Sequence, residues 1–329
     1  MFFSVIIPTY NPRNFLPIIL GSIKKNECLD EIEIILSDDC SPEPFEDVLE
    51  DFKELNIKVI TNEHHAGFPR DGRQHGAEVA TGKWITFADQ DDYFLDNSFD
   101  YILHDIKNTE IKDYFITKFV VEDADTMERT IEDGIQGWTH GKFVEKEFWN
   151  KYGIKYDKVK YCEDVNVITH IECTLATYNL KKYVYNRPVY VWKVRNDSLA
   201  DEKYYINSMY DYIKSSLKII VEVMEQNKDN KELVENMSNA FIQNFLHMYF
   251  YLQGPCFITR KQKLLGILLY MQPYYERYKA VIGIDTMEFI RHVFCDLSQL
   301  YSEIRDHDYH QIPFVEQFLF ADWMRAYFD

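Results

Sequence analysis

Short β-rich apolar runs alternate, from residue 3 to about residue 90, with segments whose apolar residues recur every three to four positions. No other feature of this chain constrains its fold as strongly. "FSVIIP" predicts a strand, and in "NPRNFLPIILGSIKK" Phe15, Ile18, Ile19 and Ile23 fall at helical spacing. "EIEIILSDDCS" repeats the strand and ends in acids, "PFEDVLEDFKEL" has a helical pattern, and "IKVITN" is a third strand. "GRQHGAEVATG" predicts a helix closed by Gly82, and "KWITFADQDD" a fourth strand. Such alternation predicts an α/β fold built on a mostly parallel, Rossmann-like sheet flanked by helices, with ligands beyond the carboxyl ends of the strands. The loops after Pro8, Leu36, Thr61 and Phe87 then open onto one rim.

Beyond about residue 110 the alternation loosens into "DYFITKFVVE", a turn bearing Trp and Gly, a helix expected over "KFVEKEFWNKYG" and another beginning at "EDVNVITHIE". From Tyr204 onward the pattern is helical almost throughout. The expected organisation is therefore a domain over residues 1–203, with halves at 1–110 and 111–203, followed by an all-helical C-terminal domain over 204–329. With 46% hydrophobic residues, 23 Phe and 24 Tyr, the composition is that of an ordered globular protein.

Charge narrows the partners. With 54 acidic against 36 basic residues the net charge is -18, which argues against nucleic acid, since a polyanion requires clustered Lys and Arg. The six cysteines form no CxxC pair, and the opening "MFFSVIIPTYN" lacks the charged and long apolar regions of a secretory signal. A cytoplasmic setting is expected. Apolar runs such as "LLGILLYM" fall short of the roughly 20 residues that span a bilayer, so at most peripheral attachment to the inner membrane face is expected.

In "FADQDDYF" three carboxylates, Asp89, Asp91 and Asp92, crowd into four residues just after the fourth strand. An oxygen-only cluster at a strand end suits a hard divalent ion such as Mg²⁺ or Mn²⁺, which relieves the mutual repulsion. A calcium hand is excluded, because Phe94 stands where its loop needs Gly. Solvated loop acids or a helix cap would read the same way if the cluster stood alone.

It does not stand alone. "SVIIPTYN", "IILSDDCS", "HAGFPRDGRQHGAEVATGKWITFADQDD" and "YCEDVNV" follow one another in an order and spacing that resemble a family 2 glycosyltransferase of the GT-A fold. The resemblance covers roughly residues 3–200 and makes 1–110 the nucleotide-binding half and 111–203 the acceptor half. It implies that Pro8, Thr9 and Tyr10 shape a uridine site, that Asp39 hydrogen-bonds the base, and that Arg73 lies near the nucleotide. Asp89 and Asp91 correspond to the family's DxD element. Asp91 and Asp92 are assigned to the metal, and Asp89 to the donor nucleotide. In the pair Glu163–Asp164, Asp164 corresponds to the base. The resemblance also brings Arg195 and Ser198 of "VWKVRNDSLA" toward the pyrophosphate, and Trp138 and His140 of "WTHGKF" toward the donor sugar or acceptor. Two departures from the family pattern are Gln74, where Asn is usual, and Cys40, where Gly is frequent.

The resemblance implies an inverting transferase that moves a sugar from a nucleotide-sugar, usually a UDP-sugar, to a hydroxyl of a glycan, a cell-surface polymer or a lipid-linked acceptor. The cofactor is Mn²⁺ or Mg²⁺. One base and in-line attack give inversion, whereas retention by double displacement needs a second carboxylate as nucleophile. A sugar-phosphate nucleotidyltransferase is the nearest enzymatic rival, but its Gly-rich phosphate loop is missing from "SVIIPTYNPR". A silent carbohydrate-binding or scaffold protein would have lost the acids that are retained here. Self-association is expected through the C-terminal helices.

Overall fold

A computed structural model of the chain describes residues 1–134, 137–157, 163–195, 202–251 and 273–283. The chain divides into two compact units, Met1–Tyr205 and Ile206–Asp329.

The first unit is built on one nine-stranded sheet. In chain order its elements are β1 (Phe3–Thr9), α1 (Leu16–Ile23), β2 (Ile32–Asp38), α2 (Glu46–Leu49), β3 (Asn56–Thr61), α3 (Arg70–Val79), β4 (Trp84–Phe87), β5 (Tyr93–Phe94) and α4 (Ser98–Lys107). There follow β6 (Tyr114–Asp123), β7 (Arg129–Glu132), β8 (Lys142–Glu145), α5 (Lys146–Lys151), α6 (Glu163–Thr177) and β9 (Lys182–Val194). The strand order is β3-β2-β1-β4-β8-β6-β9-β5, with β7 paired to β6. The expected parallel alternation describes β3-β2-β1-β4. Past β4 the pairing is mixed: β8 runs antiparallel to both β4 and β6, while β6 and β9 are parallel.

Both faces of the parallel half are covered, which is why β1 reads as an unbroken apolar run. Phe3, Val5 and Ile7 point to one side, into a core shared with Leu16, Ile19, Leu20 and Ile23 of α1. Ile6 points to the other, with Ala77 of α3, Phe148 of α5 and Val167 of α6. Ile18, counted in the helical stripe of the sequence, lies on the solvent side of α1 and is 46% exposed. Helix α3 lies close on the sheet because it carries glycine there: a Cβ on Gly76 would fall 2.3 Å from Ile6 Cγ2.

Two local expectations are corrected. "KFVEKEFWNKYG" is not one helix: Lys142–Glu145 form a strand, since Phe143 and Val144 alternate onto opposite faces and pair with β4 and β6, and the helix starts only at Lys146. Gly82 does not close α3, which ends at Val79. Its N–H donates to Ser4 Oγ (2.8 Å) and Glu33 Oε1 (2.9 Å), and a Cβ there would meet the Phe3 carbonyl carbon and the Ser4 nitrogen at 2.7 Å. Close approach of two backbones, not a helix cap, is what requires glycine.

In the second unit α7 (Glu202–Gln226), which starts just before it, and α8 (Lys231–Tyr251) bury Ile213, Leu217, Ile220, Val221 and Met224 from the first helix and Leu233, Phe241 and Ile242 from the second. Residues 273–282 are also helical, with the Tyr278 ring stacked on Phe241 at 4.2 Å. Among the described residues no helix is long and apolar enough to cross a membrane.

Candidate active site

The carboxyl ends of β1, β2 and β4 gather the residues singled out from sequence. Pro8 and Thr9 end β1, and Thr9 is buried with its Oγ1 unpartnered. Tyr10 follows, 40% exposed, with its ring stacked on His65 at 4.5 Å. Asp39, just past β2, is buried and accepts hydrogen bonds from Asn62 Nδ2 (2.9 Å), Ala66 N (2.8 Å) and Gly67 N (2.8 Å). Cys40 adopts φ +60°, a left-handed conformation that glycine takes at least cost, so the departure from the family pattern falls at a position that favours glycine.

The acidic turn between β4 and β5 is held at every carboxylate. Asp89 Oδ1 receives Arg73 Nη2 at 2.5 Å, and its Oδ2 lies 3.6 Å from His140 Nε2. Asp91 pairs with Arg195, whose guanidinium also sits 5.2 Å from the Phe15 ring. Asp92 is 1% exposed and accepts from Tyr190 Oη (2.7 Å) and from the Lys193 N–H (2.8 Å). The Tyr190 hydroxyl in turn accepts the Asp89 N–H at 2.9 Å. Gln90, between the acids, reaches back to the main chain of Tyr10.

Arg73, on α3, is the junction of the site. Its guanidinium is 5% exposed and bonds Asp89 with one nitrogen and Glu163, at the start of α6, with another. The acidic turn and the Glu163–Asp164 pair, more than 70 residues apart in sequence, are thereby joined through a single cation. Asp164 accepts the Val165 N–H at its own Oδ1 (2.8 Å).

Burial dominates the protonation equilibria here and favours neutral carboxyls. It raises Asp164, an effect that the Arg73 charge only partly offsets, and it pushes Glu163 up to about 7. Asp92 is raised well above the ordinary value by burial and then by the charges of Asp89 and Asp91, and Asp91 is raised by burial and by Asp89. Asp89 goes the other way: burial opposes its ionisation, but Arg73 and His140 outweigh it and hold the carboxyl well below the usual range. Five carboxylates against two guanidiniums leave a site that gains from another positive charge.

The donor set fits a divalent ion. Asp89, Asp92 and His140 present ligand atoms within 4.8 Å of one another, and His140 is buried with Nδ1 unpartnered. Two carboxylates and an imidazole suit Mn²⁺ better than Mg²⁺, which prefers all-oxygen surroundings. Asp91, assigned to the metal from sequence, pairs with Arg195.

Around His140 the sheet supplies an aromatic wall. The imidazole stacks on Tyr190 at 5.3 Å, Trp192 lies 5.5 Å away, and Trp138 meets Trp192 at 5.1 Å. Ser198 lies outside the described residues. The sequence reading passed over Tyr190, Trp192 and Lys193. The available signal was the alternation in "VYVWK", which puts the rings of Tyr190 and Trp192 on one face of a strand.

Comparison with known proteins identifies the family. Residues 4–171, half of the chain, match the profile of Glycosyl transferase family 2. The chain belongs to that family. Family 2 relatives include the poly(ribitol-phosphate) β-N-acetylglucosaminyltransferase TarS of Staphylococcus aureus, 36% identical over 95 residues that make up 28% of this chain and 17% of TarS. The GalNAc(5)-diNAcBac-PP-undecaprenol β-1,3-glucosyltransferase of Campylobacter jejuni is 33% identical over 94 residues, 28% of this chain and 30% of that enzyme. The matches thus span less than a third of either relative. Among solved structures, S. aureus TarS 1–349 in complex with UDP superposes with a TM-score of 0.65 at 18% identity, covering 95% of this chain and 94% of that one. At that identity the likeness shows the fold, which is GT-A.

Proposed function

We propose that this transferase moves a sugar from a UDP-sugar to a hydroxyl of a polymeric or lipid-linked acceptor, with inversion at the anomeric carbon. The observation that carries the reading is Arg73, bonded to Asp89 on one side and Glu163 on the other, because it draws the donor-side acids and the base together. TarS, crystallised with UDP, supports the choice of nucleotide, and the named acceptors of TarS and the Campylobacter enzyme support the acceptor classes.

In this reading Pro8, Thr9, Tyr10 and Asp39 receive the uridine. Asp89, Asp91, Asp92 and His140 would hold a divalent cation, Mn²⁺ by preference. Bound there, it would supply the positive charge that stabilises a departing diphosphate. Asp164 takes the proton of the acceptor hydroxyl, and burial helps it, since a carboxylate of raised pKa is a stronger base nearer the working pH. Its Oδ1 is fixed by the Val165 N–H, which leaves Oδ2 to face the acceptor. Arg73 and Glu163 hold the base in register with the donor. Arg195, released from Asp91, and Ser198 approach the pyrophosphate. Trp138, His140 and Trp192 form the wall against which the sugar or acceptor lies, aromatic faces being suited to the apolar side of a pyranose.

The test is thermal stability with a panel of nucleotides and nucleotide-sugars, with and without Mn²⁺, on the wild type and on Asp91→Ala. A ligand that binds only the folded state raises the melting temperature, by about 2.7 kcal/mol of stability at a hundred times its Kd. A Mn²⁺-dependent rise with a UDP-sugar, lost in Asp91→Ala, is expected. No rise with any nucleotide would overturn the donor site.

A further inference from the structure

The acidic turn contains one side chain that takes no part in it. Asp89, Asp91 and Asp92 are all directed to Arg73, Arg195, Tyr190 and the Lys193 N–H. Gln90 points out of the turn to the end of β1, where its Oε1 accepts the Tyr10 N–H at 2.9 Å and its Nε2 donates to the Tyr10 carbonyl at 3.0 Å.

Those two bonds are what a neighbouring strand would supply. The β1–β4 ladder ends at the pair Ile6–Phe87, with the Ala88 N–H donating to the Ile6 carbonyl at 3.0 Å. Beyond it the strands have no further pairing, and the side-chain amide of Gln90 carries the connection on to Tyr10. The flanking groups are held from the β2 side, the Asp39 N–H donating to the Thr9 carbonyl at 2.8 Å and the Asn11 N–H to Ser41 Oγ at 2.9 Å. Among the described residues Gln90 alone bonds the Tyr10 N–H and carbonyl. β1 ends at Thr9, and Asn11 adopts φ +47° and leads into a turn that begins with Pro12. Gln90 fixes the main chain of Tyr10, and His65 fixes the ring by stacking. His65 is fixed in its turn, with Nδ1 2.9 Å from both the carbonyl oxygen and Oδ2 of Asp39. Both neighbours are acceptors, so Nδ1 carries the proton. A continuous run of contacts, Asp39–His65–Tyr10–Gln90, ends between two of the acids.

We infer that Gln90 is a positioning residue that couples the nucleoside subsite to the cation subsite, so that filling either one orders the other. This rests on the reading above, in which Tyr10 meets the base and the acids hold the cation. A base seated on Tyr10 restrains the Tyr10 backbone, and a cation among the acids restrains the turn that carries Gln90. Each pays in advance part of the ordering cost of the other, and the effect must be the same in both directions.

The experiment uses uridine, which has no phosphate and cannot reach the cation itself. Free Mn²⁺ is followed by electron paramagnetic resonance as the full chain is titrated, with and without saturating uridine, for the wild type and for Gln90→Met. Methionine keeps the length of the side chain and removes both hydrogen bonds. Tyr10 lies at the surface, so its freed N–H and carbonyl turn to water and the melting temperature should stay within a few degrees of wild type.

Uridine is expected to tighten Mn²⁺ binding by about 5-fold or more in the wild type, the low end of typical coupling. In Gln90→Met the ratio should fall below about 2-fold while each ligand still binds alone. Tyr10→Phe, which leaves the main-chain clamp intact, should keep the coupling. Equal coupling in wild type and Gln90→Met overturns the inference, as does a wild type that binds both ligands without coupling. A wild type that binds neither uridine nor Mn²⁺ overturns the underlying site assignment, and the inference with it. The two failures are therefore told apart by the single-ligand titrations.

Discussion

Replacing Arg73 with Met should destabilise the first unit more than any other single change at the site. The guanidinium is 5% exposed and its partner Glu163 is 6% exposed, so the substitution leaves a buried carboxylate without a counterion. Breaking a buried pair from one side costs about 3–5 kcal/mol. The second partner, Asp89, has a side chain 32% exposed, and water screens its loss, so this half of the interaction adds less. For a unit of this size each kcal/mol lowers the melting temperature by about 2–4 °C, which puts the expected fall at roughly 6–20 °C. The assay is a thermal melt followed by circular dichroism at pH 7.5 without added metal, on Arg73→Met, Glu163→Gln and the double variant. If the cost is an orphaned charge, the double variant melts above Arg73→Met, because a neutral amide at 163 no longer needs the cation. A fall under about 2 °C, or a double variant no more stable than Arg73→Met, would refute the reasoning.

Three further outcomes are expected. Asp164→Asn should lower kcat by about 10²–10⁴-fold while donor affinity measured calorimetrically stays near wild type, since the amide cannot take a proton. Glu163, raised by burial to about 7, binds a proton more tightly in the folded state than unfolded, where its pKa is about 4.3. Its stabilising contribution is therefore complete below about pH 4.3 and lost as pH rises through about 7, so Glu163→Gln should flatten a decline in melting temperature between pH 5 and 8. Tyr190→Phe removes the donor to Asp92 and the acceptor of the Asp89 N–H, and should cost about 1–3 kcal/mol in urea unfolding and weaken Mn²⁺ binding.

The parallel half of the sheet was legible because β1, β2 and β4 are buried on both faces and mostly apolar, and each strand is set off by a helix or a turn. Strand β8 was not, because "KFVE" runs into α5 without a breaker, and only the flanking strands make residues 142–145 extended. At the site, the residue types and their order were readable, but their partners were not. Arg73 finds Glu163 90 positions away, and Asp91 finds Arg195 104 positions away. His140 illustrates the same limit: "WTHGKF" gives an isolated histidine, and the path of β6, β8 and β9 brings it beside Asp89 and Tyr190. Gln90 carries no signal in sequence, since it stands between two acids and its partner, the main chain of Tyr10, lies 80 positions away.

The hydroxyl of Tyr190 and the N–H of Lys193, which hold Asp92, arrive 98 and 101 residues after it in the chain. During synthesis the parallel strands β1–β4 can pair while β9 is still unmade, so the acidic turn emerges early and waits. At roughly 5–20 residues per second that interval lasts roughly 5–20 s. A nascent chain in this interval already has Arg73 for Asp89, but Asp91 and Asp92 stand beside it without Arg195, Tyr190 and Lys193. Completion of β9 is then the event that sets the geometry of the turn, and a chain cut short before residue 190 would keep the acids but not the partners that hold Asp92.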